Sequence, residues 1–131
     1  MRPSLRAACI CLLLGAMPAL ACEAAINLIY NKPVDIRGTL KAGKGQHEAQ
    51  GAFAYSYVAL DQPVCVASET AGDEFNEPTD KPIDRIQIAG EAAGKDLPLG
   101  KRVKVSGTLF GAHTMWHAED VLIDTSDVTQ E

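Results

Sequence analysis

Positive charge is in short supply in this 131-residue chain, with 12 Lys and Arg against 17 Asp and Glu and a net charge of −5. Such a balance repels phosphate backbones and anionic lipid heads, which argues against nucleic acid as a partner. Nucleophile and phosphate motifs are missing as well. No Gly-x-Ser-x-Gly occurs, and Ser106 precedes Gly107 inside an alternating run, with no strand-to-helix elbow. No glycine-rich loop opens a helix. Glu69, Asp73, Glu74, Glu77 and Asp80 lack the Asp-x-Asp-x-Asp-Gly spacing of a calcium loop and read as a solvated loop. No catalytic residue, no cofactor and no enzymatic activity are therefore expected. Beyond the first 22 residues there is also no long amphipathic helix and no apolar run approaching the ~20 residues of a membrane span.

Those first residues have the three parts of a secretory signal. Arg2 and Arg6 form a basic head, Ala7 to Leu14 an apolar run, and Ala19-Leu20-Ala21 a small-residue cleavage site before Cys22. The alternatives are a retained anchor, for which the apolar stretch is short, and a lipid-modified Cys22. Lipoprotein signals place Leu three residues before the cysteine and a small residue two before, the reverse of Ala19 and Leu20. Cleavage after Ala21 is the expectation, with 1–21 as signal peptide and 22–131 as a single exported domain, periplasmic or secreted and without a membrane anchor. Losing Arg2 and Arg6 makes that domain more acidic, with 10 basic against 17 acidic residues. Cys9 and Cys11 leave too. The remaining Cys22 and Cys65 read, in an oxidising compartment, as one disulfide, or else as two free thiols.

The body of the chain alternates with period two, as strands with one buried face do. Val34, Ile36 and Leu40 mark one such run, and Val103, Val105 and Leu109 another. Phe53 to Leu60, ended by Asp61-Gln62-Pro63, is a third, with Val64-Cys65-Val66 continuing it or starting a neighbour. Ile83 to Ile88 and Val121 to Ile123 complete the set. Ala42-Gly43-Lys44-Gly45 predicts a tight reversal. Glu91 to Lys95 allows one short helical turn, since Gly94 and Pro98 forbid more. Two strands share the pattern Val-x-(Ile/Val)-x-Gly-Thr-Leu, at 34–40 and 103–109. A glycine within a strand marks a sharp bend or the close approach of another backbone, and small closed barrels need such bends. The expected fold is all-β, a small five-stranded barrel of the oligonucleotide/oligosaccharide-binding (OB) type, against an open sheet or sandwich.

The candidate metal ligands are His113 and His117, with Glu119 and Asp120 nearby and His47 and Glu48 in a distant turn. A zinc or copper site needs three or four donors, and only two histidines are local. Trp116 between them is expected to act as a lid on the barrel. Tyr55 and Tyr57, two apart on one strand, share a face. Exposed, they could stack a sugar ring or contact a protein; buried, they are core.

Gly100 to Phe110, Ala112-His113-Thr114 and Val121-Leu122-Ile123 together resemble a small exported bacterial family, domain of unknown function 4431. Its pattern also covers Tyr30, Pro33, Gly38 and the Leu-Asp-x-Pro-x-Cys-Val stretch ending at Val66. The family continues into a histidine cluster, and this chain departs there, with Trp116 where a second histidine is expected. The resemblance implies export and a compact β-domain, and no reaction. Taken together, the sequence points to an exported module that binds a protein or a cell-envelope component. A histidine-based metal-binding module is the alternative, and an enzyme with a scattered site is a more distant one.

Overall fold

The computed structural model describes residues 21–70 and 73–131, so the expected signal segment lies outside the described residues except for Ala21. Seven strands follow one another: β1 (Ile26–Ile29), β2 (Pro33–His47), β3 (Gly51–Ala67), β4 (Ile83–Ala89), β5 (Arg102–Gly111), β6 (Val121–Asp124) and β7 (Thr129–Gln130). A single 3-10 turn at Gly90–Gly94 is the only helical element among the described residues, where the sequence allowed one.

Five of the strands close into a ring. β3 pairs with β2, β2 with β5, β5 with β6, β6 with β4, and β4 returns to β3. All of these pairings are antiparallel except β4–β6, which is parallel. The alternating apolar residues point inward, where Leu40, Val58, Ile86, Val103, Val105, Leu109, Val121 and Ile123 are fully buried. The fold is a small OB-like barrel, with β2 as the first strand of the ring.

The repeated heptapeptide explains the closure. Its two copies are neighbours, paired about Ile36 and Val105, so that Gly38 lies opposite Val103 and Gly107 opposite Val34. Each glycine thus meets the first valine of the other copy. On its far side, each receives a third strand's backbone. A Cβ at Gly38 would collide with the Ala59 carbonyl oxygen on β3, and one at Gly107 with that of Asp124 on β6. Only glycine lets the two outer strands come in this close and bend the ring shut.

Gly43 and Gly45 have a different role from the expected reversal. β2 runs straight through them to His47, and the turn falls at 48–50. Gly43 is paired with Tyr55 and Gly45 with Phe53, and both aromatic rings lie across the glycine backbone where a Cβ would sit. Glycine therefore serves here as a seat for a cross-strand ring, as in the rescue of strand glycines by aromatics. Pro63 likewise marks no turn. β3 continues past it, and the β3–β4 register shifts between Ala59 and Val64.

β1 lay outside the sequence expectation. It adds to the ring in parallel, Ile26 to Ile29 beside Val64 to Ala67 of β3. Cys22 and Cys65 are disulfide-bonded, fastening the chain just ahead of β1 to the same strand. No helix among the described residues is long and apolar enough to cross a membrane.

Candidate functional site

Alternation along β3 puts Phe53, Tyr55 and Tyr57 on one side of the strand. Their ring centroids step along it at 6.3 and 5.9 Å. Tyr57 is buried, capped by the guanidinium of Arg85 at 4.7 Å from the ring centroid, a cation–π contact. The two tyrosines share a face as expected, but only Tyr55 and Phe53 are half-buried. Tyr55 donates its hydroxyl to Glu119 Oε1 at 2.8 Å, and Arg85 Nη1 stands 3.7 Å from the same oxygen. Burial, and then this hydrogen bond, push the Tyr55 phenol above its ordinary value.

The β5–β6 loop, residues 112–120, folds over this surface. Its anchor is Gln87, a buried side chain on β4 opposite Tyr57. Gln87 Oε1 accepts from the backbone N–H groups of Ala118 and Glu119 at 2.8 and 3.1 Å, while Nε2 donates to the Trp116 carbonyl at 3.0 Å. Trp116, 47% exposed, stands edge-on to Phe53 at 5.2 Å and 84°. It also stacks on His47, with ring centroids 6.0 Å apart. Trp116 thus packs against the β2–β3 hairpin through Phe53 and His47. Sequence reasoning missed Gln87, which resembles any polar residue in an alternating strand, and missed the meeting of Trp116 with Phe53.

His113 and His117 do come together, edge to face at 4.8 Å. Their inner nitrogens are already occupied. His113 Nδ1 lies 2.9 Å from the Gly111 carbonyl, which can only accept, so that nitrogen carries the proton. His117 Nδ1 accepts from the backbone N–H groups of His113 and Thr114 at 2.9 and 3.2 Å. Its proton must then sit on Nε2, and ligation there would require moving it to Nδ1 at the expense of both hydrogen bonds. Burial, and then His113, hold His117 below the usual histidine value. His47 Nδ1 is used the same way, accepting from Ala49 and Gln50 within its own turn. Among the described residues, no group of three or more His, Cys, Asp or Glu could hold a metal ion, and no buried side-chain nitrogen or oxygen lacks a hydrogen-bond partner.

At the base of the same loop lies an open cleft of about 470 Å³, rimmed by Tyr30, Glu74, Phe75, Glu77, Asp80 and Asp120. Asn76, buried beside it, accepts from Gly111 N–H and so ties the 73–82 loop to the end of β5. Glu74, Glu77 and Asp80, three of the five acidic residues expected in a solvated loop, are exposed and line one wall of this recess.

Fold and face together define an OB-type barrel. In that class the face of the second and third ring strands, with the first and fourth connecting loops, takes the ligand. Here those parts are β3, β4, the 48–50 turn and the 112–120 loop. Residues 85–129 match the model of a family described as a domain of unknown function (DUF4431), so the resemblance read from the sequence holds over the segment carrying Arg85, Gln87, His113, Trp116, His117 and Glu119. No curated protein and no solved structure matches the chain.

Proposed function

We propose that this chain is an exported, disulfide-stapled barrel that works by binding a component of the cell envelope, with the β3–β4 face as its contact surface. The reading is carried by one observation. Phe53, Tyr55 and Trp116 gather, partly exposed, where the two connecting loops of an OB-type barrel meet. The tripartite N-terminal segment and the Cys22–Cys65 pairing support export. The acid-rich composition supports a partner that is not a polyanion.

Two measurements test this reading. The N-terminus of the protein recovered from the periplasm or medium should begin at Cys22; recovery only from the cytoplasm with Met1 intact contradicts export. A photo-crosslinking residue at position 116 should trap an envelope component in living cells, while the same residue at Asp96, between β4 and β5, should not. Equal trapping at both positions, or at neither, contradicts the assignment of the face.

A further inference from the structure

We propose that the corner made by Phe53, Tyr55 and Trp116 is a saccharide site, taking an uncharged sugar chain. The proposal rests on the β3–β4 face being the binding surface and names the chemistry that fits it.

Three features select a sugar. First, the Phe53 and Tyr55 rings lie down across Gly45 and Gly43, so each rests on backbone with one ring face instead of standing on edge. A pyranose presents a flat C–H face, and its natural complement is such a floor. Trp116, perpendicular to Phe53 with ring centroids 5.2 Å apart and 47% exposed, adds a second aromatic surface at the same corner. Second, hydrogen-bonding groups of both kinds stand next to the floor. The Tyr55 hydroxyl, the Glu119 carboxylate and the Arg85 guanidinium form one cluster, and vicinal hydroxyls need donors and acceptors side by side. Third, the corner lies apart from the larger recesses. The recesses of about 470, 260 and 420 Å³ are lined by other residues. Protein partners bind through anchors that fill desolvated pockets, whereas a sugar stacks on a ring without one. The net charge of −5 disfavours nucleic acid bases, which could otherwise stack here.

The test uses the protein from Cys22 to Glu131 and its single tryptophan. Cellotetraose and N-acetylchitotetraose are titrated while Trp116 emission is read, with calorimetry for variants lacking that residue. At least one sugar should give a saturable change, weakened about tenfold or more by Phe53→Ala and by Trp116→Ala, a loss equal to about 1.4 kcal/mol. Tyr55→Phe keeps the ring and removes the hydroxyl, so it should weaken binding less while the circular dichroism spectrum stays unchanged. That variant holds the result apart from misfolding. Should neither sugar bind while position 116 still crosslinks an envelope protein, the saccharide assignment is overturned and the face keeps its role. Absence of both binding and crosslinking overturns the face as well.

Discussion

At the scale of single residues, glycine does two separate jobs in this chain, admitting a neighbouring backbone at Gly38 and Gly107 and seating an aromatic ring at Gly43 and Gly45. Gly38 and Gly107 stood out because the heptapeptide around them repeats, and each admits a neighbouring backbone. Gly38→Ala and Gly107→Ala should each cost about 1–3 kcal/mol through overpacking, while Gly94→Ala, with open space around it, should leave the melting temperature nearly unchanged. Thermal unfolding of the three variants checks this. Gly43 and Gly45 have the composition of a turn, and their role as ring seats appears only once the β2–β3 register is known. Gln87 was equally hidden. Gln87→Leu should strand the Ala118 and Glu119 N–H groups at about 1–3 kcal/mol for each one left buried. It should also release the loop, seen as a red shift of Trp116 emission. The histidines were legible as a pair but not in their protonation, which depends on backbone partners only the folded loop supplies. With two donors in place of the three or four that zinc needs, calorimetric titration should show no zinc binding tighter than about 100 µM.

At the scale of elements, the five ring strands could be read from period two and turn residues, since each buries one face. β1 could not. Ile26–Ile29 is short, follows a cysteine, and gains its identity from a parallel pairing with the last part of β3, far away in sequence. The disulfide explains why so short a strand holds. Closing the 43-residue separation should be worth up to about 4 kcal/mol in the chain-entropy model. Replacing both cysteines by alanine should lower stability by about 2–4 kcal/mol in denaturant unfolding. Hydrogen exchange should rise first in β1 and in Val64 to Ala67, because those strands lose their clamp while the ring keeps its core.

At the scale of the whole molecule, the excess of acidic residues also shapes pH behaviour. Tyr30 is buried and donates to the Glu77 carbonyl at 2.8 Å. Burial, and then the Asp120 and Glu77 carboxylates, push its phenol up to about 12. A raised folded value favours the protonated form, so its contribution is complete below the ordinary value of about 10 and is lost as pH rises through about 12. Unfolding followed from pH 9 to pH 12 should show wild type losing roughly 1–2 kcal/mol more than Tyr30→Phe. The barrel, its staple and its face all serve one claim, that β3, β4 and the two loops at Trp116 form the contact surface. Amide chemical shifts of isotope-labelled protein, followed on addition of solubilised envelope fraction, test it most directly. The account predicts perturbations confined to residues 43–57, 85–87 and 113–119. Shifts centred on β5 and β7, or on the cleft beside Glu74 and Asp80, or no shifts in any fraction, would contradict it.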